Sequence, residues 1–305
     1  MVNKLNRNTI VLIAILLVLV VILYKLTKKE KIEKKGKIGT NLNMSTNKKT
    51  VDWYNENANG YAEHVRNKND SIYHSLYEKP TMYSLLPNIK GKKVISLGCG
   101  SGEDSNYLKK MGASKSVGID ISKNLIEIAK TSYKNCIFET MDMEKLNFSN
   151  KSFDFAYSSL AIHYLKDWTK TFKEVYRILK PNSYFLFSCE HPIMTSMEVS
   201  KNDDLEKIQL LAFIKNKKTK EKTIIGNYLD RKELSIKFNT DKTSTVTTWH
   251  KSISEIINEA RKAGFLIENF VEPKPSLKMK SIKPDDYVKL NKIPKFMIFK
   301  LIKLR

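Results

Sequence analysis

A glycine-rich turn follows an apolar stretch in the first half of the chain. The segment is Val94-Ile-Ser-Leu-Gly-Cys-Gly-Ser-Gly-Glu-Asp104, with glycines at 98, 100 and 102. Glycine adopts positive φ and lets backbone approach a ligand, and a helix that begins after such a turn aims N–H groups at it. Asp120 follows twenty residues after Gly100, at the end of the next apolar run, where a carboxylate accepts two hydrogen bonds from a ribose. A glycine turn alone is also compatible with a tight structural turn, but together these features indicate a nucleoside cofactor.

The spacing of the glycines distinguishes between nucleoside cofactors. A dinucleotide site has the pattern G-x-G-x-x-G, with a pyrophosphate over the following helix. Here the pattern is G-x-G-x-G, and Glu103 follows directly. A carboxylate at that position would repel a pyrophosphate but would suit the amino group of a methionine-like tail. The sequence therefore favours S-adenosylmethionine (SAM) over NAD.

Several stretches resemble the class I SAM-dependent methyltransferases. Leu97–Gly102 and Val117–Ser122 are similar to motifs I and II of that family. Glu139–Leu146 resembles the acidic loop that cradles adenine, and Phe153–Trp168 resembles the segment after the fourth strand. Tyr184–Pro192 resembles the fifth strand and its Glu-His-Pro exit in small bacterial-type members, a branch without a single known substrate. The likeness covers about residues 51–305.

The resemblance implies that SAM binds at the ends of the strands. The glycine turn would line its methionyl part, Asp120 would bind the ribose hydroxyls with Ile121 against adenine, and Asp142 would hold the adenine edge. Tyr54 and Tyr61 fall where the N-terminal helix of such enzymes closes over the cofactor, although either could simply belong to the core. The implied cofactor-binding residues are Tyr54, Tyr61, Gly98, Cys99, Gly100, Gly102, Asp120, Ile121, Asp142, Met143 and Ser158.

Three histidines are candidate catalytic bases. Methyl transfer from a sulfonium depends mainly on aligning the acceptor and excluding water, and a base is needed only for a hydroxyl or a protonated amine. His163, His191 and His250 fall at predicted strand ends or in a lid region, and histidine titrates near neutrality. For each of them, a purely structural hydrogen-bonding role is the alternative. No metal-ligand spacing is present, so no metal is expected.

Alternating strand and helix patterns position these residues. Apolar runs predict strands at Lys93–Leu97, Ser116–Ile119, Cys136–Phe138, Phe153–Tyr157 and Tyr184–Ser188. Helical spacing predicts helices at 103–111, after Ser122, from Trp168 to Leu179, and after the capping box that begins at Ser252. Phe265–Val271 and Phe296–Ile302 are predicted as closing strands, although the basic tail could instead lie on a membrane surface. The alternation predicts a doubly wound, Rossmann-like α/β fold with a parallel sheet, which the resemblance makes seven-stranded.

Residues 195–250 form an insertion before the last predicted helix. Leu234, Ile236 and Phe238 alternate with polar residues, as do parts of Thr223–Tyr228 and Thr243–Trp249. Such alternation predicts short strands. We expect them to form a lid over the substrate, within a methyltransferase domain at 51–305.

The N-terminal segment predicts a membrane anchor. Residues 8–24 contain no charged side chain, and a helix of that length lies at the short end of what spans a bilayer. No small-residue cleavage site follows, so an uncleaved transmembrane helix at 1–26 is favoured over a signal peptide. Residues 27–50 are polar and rich in Lys and Asn, which predicts a flexible basic linker. Because this flank carries more Lys than the N-terminal one, the positive-inside rule predicts a single-pass protein with its catalytic domain in the cytoplasm.

The net charge of +22 is compatible with binding to nucleic acid. Only six of the 54 basic residues are Arg, whereas readers of phosphate and guanine favour the forked guanidinium. Nucleic acid is therefore a less favoured partner.

The three cysteines are widely spaced and odd in number. This pattern fits a reducing compartment, and it fits neither a disulfide framework nor a zinc site.

Four hypotheses follow from these patterns. The first is a methyltransferase that acts on a small-molecule acceptor, which the predicted anchor allows to be membrane-associated. The second is an RNA methyltransferase, for example of tRNA, which charge alone supports. The third is a membrane-tethered protein that binds SAM without catalysis. The fourth, an NAD enzyme, is disfavoured by the glycine spacing.

Overall fold

The computed structural model describes residues 45–67, 70–202, 205–237 and 245–304. The predicted anchor at 1–26 and the linker as far as residue 44 lie outside these ranges. The end of the predicted linker, residues 45–50, instead belongs to a folded unit that begins at Ser45. Asn47 caps a helix that begins at Lys48, and a contact between distant segments fixes Ser45, which donates its N–H to Asp142. None of the helices in the described ranges combines the length and apolar character needed to cross a bilayer.

Seven strands form the central sheet, as predicted. They are β1 (Lys93–Leu97), β2 (Lys115–Asp120), β3 (Ile137–Thr140), β4 (Phe153–Ser158), β5 (Leu179–Glu190), β12 (Leu266–Val271) and β13 (Phe296–Lys303). The spatial order is β12-β13-β5-β4-β1-β2-β3. The strand order reverses between β1 and β4, and in such sheets ligands bind at that point, outside the carboxyl ends of the strands.

The sheet is mixed, whereas the alternation of elements predicted a parallel one. β13 runs antiparallel to both β5 and β12, and the remaining neighbours pair in parallel. The reason is a change in the connections: β12 and β13 are joined by two short helices, Leu277–Ile282 and Pro284–Leu290, rather than by a crossover. Neither helix was predicted, because each is too short to display helical periodicity.

The helices are numbered in chain order. They are α1 (Lys48–Glu56), α2 (Ala58–Arg66), α3 (Lys79–Ser84, preceded by a π-helical turn at His74–Glu78), α4 (Glu103–Lys110), α5 (Lys123–Ser132), α6 (Trp168–Ile178), α7 (Pro192–Ser196), α8 (Ile253–Lys262), α9 (Leu277–Ile282) and α10 (Pro284–Leu290). Ser122 caps α5 and Ser252 caps α8, each accepting a backbone N–H three residues on, as predicted.

Alternate residues of the strands supply two apolar cores, one on each face of the sheet. Ile95 belongs to the larger core, which includes the aromatic side chains of Trp168 and Phe172 on α6. Its neighbour Val94 belongs to the smaller core, together with Met82 of α3 and Leu108 of α4. Helices on both faces therefore fix the central strands, and their carboxyl ends share one edge.

The insertion contains three antiparallel strand pairs. They are β6 (Glu198–Asn202) with β7 (Leu205–Leu210), β8 (Ala212–Lys215) with β9 (Lys222–Ile225), and β10 (Lys232–Lys237) with β11 (Thr245–His250). The prediction of short strands in this region is confirmed. Strand β11 connects this insertion to the N-terminal helices, since the Thr247 N–H donates to Thr50 Oγ1 of α1 at 2.8 Å.

Two glycine substitutions test the packing of the sheet edge. A Cβ at Gly118 in β2 would lie 2.7 Å from Phe138 Cδ1 and 2.8 Å from Cys99 Sγ, whereas a Cβ at Gly60 in α2 would meet nothing within 4 Å. We expect Gly118→Ala to lower the free energy of unfolding by about 1–3 kcal/mol through overpacking. Gly60→Ala should raise it by up to about 1 kcal/mol through helix propensity. Urea unfolding of both variants checks this, and equal effects would contradict the described packing.

Candidate active site

A cavity opens at the carboxyl ends of the central strands. Its walls come from the segment before α1, from α1 and α2, from the glycine turn, and from the loops after β2, β3 and β4. The lining residues are Ser45, Thr46, Thr50, Val51, Tyr54, Tyr61, Gly98, Gly100, Asp120, Ile121, Leu125, Met141, Asp142, Met143, Ser159, Leu160, Ala161 and Tyr164.

The glycine turn forms one wall of the cavity with backbone alone. Gly98 and Gly100 have φ of +61° and +54°, which is the left-handed region that favours glycine. A Cβ at Gly98 would lie 2.3 Å from Ala161 Cβ, and one at Gly100 would lie 3.4 Å from Tyr61 Cε1. The turn can therefore approach a ligand only because both positions lack a side chain.

Asp120 presents its carboxylate to the same cavity at the end of β2. Its Oδ2 accepts the Gly100 N–H at 2.9 Å, and its Oδ1 accepts the Ser122 N–H at 2.8 Å. The carboxylate has about four lone-pair sites, and the N–H groups of Gly100, Ile121 and Ser122 leave at least one of them for a ligand hydroxyl. Burial raises the pKa of Asp120, and these N–H donors oppose that rise. The geometry suits the paired hydroxyls of a ribose.

The predicted adenine end carries Ile121, Asp142 and Met143, and all three line the cavity. Both oxygens of Asp142 are engaged, because Ser45 donates its N–H at 2.8 Å and its hydroxyl at 2.5 Å. A β-bridge between Thr46 and Leu165 continues this contact. Residues 45–46 thus form a strap over the end of the cavity, and any ligand group on Asp142 must share that carboxylate with Ser45.

Three tyrosines form an aromatic corner of the cavity. Tyr54 and Tyr61 were predicted, and Tyr164 was not. The Tyr54 hydroxyl lies 2.6 Å from that of Tyr164, and the Tyr54 ring packs edge-on against the rings of both others at centroid distances of 5.3 and 5.7 Å. Burial, and then the neighbouring Tyr164, raise the pKa of Tyr54. These side chains are therefore neutral near pH 7 and offer both π-faces and hydroxyl groups.

Three predicted cofactor residues do not line this cavity. The Cys99 thiol lies in a small apolar cluster with Phe138, on the side of the turn that faces β2 and β3. Gly102 leaves room for Phe138, because a Cβ there would lie 2.8 Å from its ring. The Ser158 hydroxyl donates to the Leu97 carbonyl at 3.0 Å and ties β4 to β1. Their roles are packing and strand connection, which spacing along the chain does not reveal.

Glu103 also differs from the sequence interpretation. Arg66 of α2 donates to its Oε1 at 2.9 Å, and Ser101 donates to its Oε2 at 2.7 Å. The charge of Glu103 is compensated by this ion pair, and the residue is absent from the cavity wall described above. Any repulsion of a pyrophosphate by Glu103 would therefore come from a carboxylate that is already ion-paired, which the sequence does not reveal.

His191 has a structural role at the exit of β5. Its Nδ1 accepts the Ile193 N–H at 3.1 Å and caps α7, so its Nε2 donates to Glu272 Oε1 at 2.8 Å. Burial lowers the pKa of His191, against the opposing effect of Glu272. Since both ring nitrogens are engaged, His191 does not fit the predicted base.

His250 has a structural role at the end of β11. Its Nε2 donates to the Tyr228 carbonyl at 2.9 Å, which leaves Nδ1 to accept from the Thr195 hydroxyl at 2.6 Å. These bonds join the start and the end of the insertion. His250 therefore fixes the base of the insertion, and it does not line the cavity walls that the structure describes.

His163 is the histidine whose geometry fits a base. It lies in a 3₁₀ turn at Ile162–Tyr164, is buried, and has an Nδ1 without a partner among the described residues. His163 is itself not among the residues that line the cavity, but its ring lies 4.6 Å from that of Tyr164, which is. Burial lowers the pKa of His163, and Glu190 opposes the effect. Glu190 itself has a buried Oε2 without a partner in the described chain.

A buried carboxyl group that was not predicted supports the loop after β4. Glu78 ends the π-helical turn, and its Oε1 accepts from Ser188 Oγ at 2.6 Å and from Ser159 Oγ at 3.0 Å. Ser188 in turn accepts the Leu160 N–H at 3.0 Å, and Leu160 has φ of +49°. Burial raises the pKa of Glu78. A π-helical insertion marks many functional sites, but its sequence has no recognisable pattern.

Comparison with known proteins identifies the family. A methyltransferase domain family matches residues 95–187. An uncharacterized protein of Haemophilus influenzae is 31% identical over 207 residues, which cover 65% of this chain and 76% of that protein. The crystal structure of a SAM-dependent methyltransferase from Mesorhizobium loti has a TM-score of 0.60 and 27% identity, with 73% of this chain and 96% of that chain covered.

A more distant relative has a named acceptor. The malonyl-[acyl-carrier protein] O-methyltransferase of Marinomonas sp. is 30% identical over 111 residues, which cover 35% of this chain and 41% of that enzyme. Within the described ranges, no group of His, Cys, Asp and Glu side chains is arranged to hold a metal ion. The fold, the glycine turn with Asp120, and these likenesses agree that the chain belongs to the class I SAM-dependent methyltransferases and is an enzyme of that family.

Proposed function

We propose that this enzyme transfers the methyl group of SAM to a small-molecule acceptor bound beside Tyr164 and His163. The observation that carries the proposal is the lining of the cavity, which combines the backbone of the glycine turn, the Asp120 carboxylate and half-buried tyrosine hydroxyl groups. The strap at 45–46 and helix α1 cover it. A covered cavity favours an acceptor that enters whole over a base held within a folded RNA.

The residues present fit SAM in three respects. Gly98 and Gly100 leave a backbone cradle that a Cβ would fill, which suits the methionyl chain. Asp120 retains capacity to accept a hydrogen bond from the ribose beside its backbone N–H donors. Ile121 and Met143 supply an apolar slot for adenine, with Asp142 at its edge. SAM supplies a methyl group already activated by a sulfonium charge.

The remaining task of the chain is alignment and exclusion of water. The rings of Tyr54, Tyr61 and Tyr164 close one corner of the cavity and present negative π-faces, which stabilise a nearby cation. Leu160 and Ala161 supply an apolar wall after β4. Because these groups are neutral and buried, they favour a positively charged ligand without introducing a competing nucleophile.

His163 is the proposed base for an acceptor that must lose a proton. Its lowered pKa keeps the imidazole neutral near pH 7, and its unpartnered Nδ1 can accept a proton. Glu190 lies close enough to influence that pKa and would stabilise the imidazolium. The malonyl enzyme named above methylates an oxygen, and an oxygen or nitrogen acceptor would use such a base.

RNA remains the alternative acceptor, supported by the net charge of +22. The pairing of the arginines disfavours RNA as the acceptor, because Arg66, Arg177 and Arg231 each pair with a carboxylate of this chain. Forked guanidinium groups that are already paired are poorly placed to recognise phosphates or guanine.

The uncharged run at 8–24 supports a further proposal, a single-pass anchor that holds the enzyme on the cytoplasmic face of a membrane, where acceptors include lipids and quinones.

Removal of the Asp120 carboxylate tests the cofactor site. Loss of two charge-assisted hydrogen bonds to the ribose should weaken SAM binding by about 3 kcal/mol, or roughly 100-fold. Calorimetric titration of the detergent-solubilised full chain with SAM and with S-adenosylhomocysteine measures this for Asp120→Ala. Asp52→Ala is the matched control, because it removes an exposed carboxylate of α1 that pairs only with Lys48. Equal affinity of both variants would refute the assigned site.

Labelled methyl transfer tests the acceptor class. The full chain, incubated with methyl-labelled SAM and a cell extract, should place label in the low-molecular-weight or lipid fraction. Asp120→Ala should abolish most of that incorporation. Label in RNA, with binding that weakens steeply as salt rises, would establish the alternative instead.

The pH profile tests His163. Since burial lowers its pKa, the base form persists below the ordinary histidine pKa of 6.5, and kcat should decline only as pH falls through that lowered value. His163→Gln should reduce kcat by roughly 100-fold and remove this acid limb, with SAM affinity unchanged. His64→Gln, at an exposed position of α2, is the control. An unaltered profile in His163→Gln would exclude the base.

A further inference from the structure

The hairpin formed by β8 and β9 exposes large apolar side chains. Phe213 is 64% exposed, Ile224 is 75% exposed and Ile214 is 46% exposed. Of the fourteen large apolar side chains that the described residues expose, six fall between residues 199 and 229: Val199, Leu211, Phe213, Ile214, Ile224 and Leu229. Scattered exposed apolar residues are ordinary, but a cluster of them marks an interaction surface.

The strand register shows that both faces of the hairpin are apolar. Phe213 is directly opposite Ile224, so their side chains share one face. Ile214 is opposite Thr223, and these point to the other face. The next pair on the face of Phe213 is Lys215 with Lys222. The hairpin therefore presents apolar groups all round and basic groups nearer its turn.

Five lysines surround the turn of the hairpin. Lys215, Lys217, Lys218, Lys220 and Lys222 are all exposed, against one acidic residue, Glu221, so this segment carries a net charge of +4. Within the described residues, none of the five forms an ion pair. Asn216 fixes the turn, since its Oδ1 accepts the N–H groups of Lys218 and Thr219 and its own N–H donates to the Glu221 carbonyl.

We propose that this hairpin, residues 212–225, docks on the surface of an anionic lipid bilayer. Phe213, Ile214 and Ile224 would enter the boundary between headgroups and acyl chains, and the lysines would contact the lipid phosphates. This combination of apolar side chains with Lys is what binds anionic interfaces. The proposal goes beyond the methyl acceptor and does not depend on its identity.

Two observations favour lipid over an acidic protein or RNA. The pair Phe213 with Ile224 and the pair Lys215 with Lys222 are neighbours on one face of the hairpin, so this face offers apolar groups to the acyl boundary and lysines to the lipid phosphates, whereas an acidic protein would match the lysines alone. Single-stranded nucleic acid needs several stacking aromatic side chains, and Phe213 is the one aromatic residue between 212 and 225. The lysines complement the negative charge of the lipid surface.

Hydrogen bonds join the base of the hairpin to the cavity. Asn227 donates its N–H to the Ser196 carbonyl at 3.0 Å, and His250 connects Thr195 with Tyr228. The same strand as His250 bonds to Thr50, which lines the cavity. A docked hairpin would therefore hold the part of the cavity wall that includes Thr50 close to the lipid surface.

A fluorophore on the hairpin tests the proposal in the full chain. Phe213→Cys carries an environment-sensitive label, and Leu277→Cys, which replaces a residue 79% exposed on α9, carries the same label as the control. With vesicles of equal phosphatidylcholine and phosphatidylglycerol, position 213 should shift its emission to the blue and be quenched by nitroxide-labelled lipid. Position 277 should change little.

A charge reversal distinguishes docking of the hairpin from attachment through the predicted N-terminal anchor alone. Lys217→Glu with Lys218→Glu should lower the anionic-lipid affinity read at position 213 by at least roughly tenfold, since each basic residue contributes to the attraction. Circular dichroism and SAM titration of the same variant show whether fold and cofactor site are intact. Equal signals at positions 213 and 277, equal signals in phosphatidylcholine alone, or a shift that appears only on addition of RNA or an acidic protein would overturn the proposal.

Discussion

The active site depends on one backbone contact between the loops after β1 and β4. Gly98 approaches Ala161 so closely that a Cβ at Gly98 would lie 2.3 Å from the Ala161 side chain. The β4 loop can take this path because Leu160 adopts φ of +49°, which costs free energy in a residue with a Cβ. Ser188 and the buried Glu78 carboxyl hold it there by hydrogen bonds. A cofactor cradle made of backbone on one loop thus requires a buried polar network behind the other.

Burial controls the chemistry of the groups around the cavity. It raises the pKa values of Asp120 and Tyr54 and lowers that of His163, so each group is driven toward its neutral form. Three backbone N–H donors oppose the shift at Asp120, whereas no described partner satisfies Nδ1 of His163. The N–H donors therefore limit the rise in the pKa of the Asp120 carboxyl group, and burial leaves the His163 imidazole neutral and able to accept a proton.

Most of the sheet and the cofactor turn could be predicted from the sequence, because both depend on patterns of neighbouring residues. Strand and helix periods located β1 to β5, and Asp120 followed from the end of β2. Spacing does not tell which side of a turn a side chain occupies, so it could not show that Cys99, Gly102 and Ser158 do not line the described cavity. Tyr164 and Ser45 were missed because their place on the cavity depends on contacts between distant segments, such as Ser45 with Asp142.

The ion pair between Glu103 and Arg66 changes how the preference of this turn for SAM over a dinucleotide is explained. The carboxylate is shared with Arg66 and Ser101, yet it still adds to the rise in the pKa of Tyr61 that burial causes, so charge and packing both act at the turn. The third glycine comes one residue earlier than in the dinucleotide pattern, and it admits the Phe138 ring against the start of α4. Tyr61, packed 3.4 Å from where a Gly100 Cβ would be, then closes the space above the turn. The packing of β3 and α2 against the turn is therefore a second constraint on the cofactor, beside the charge of Glu103.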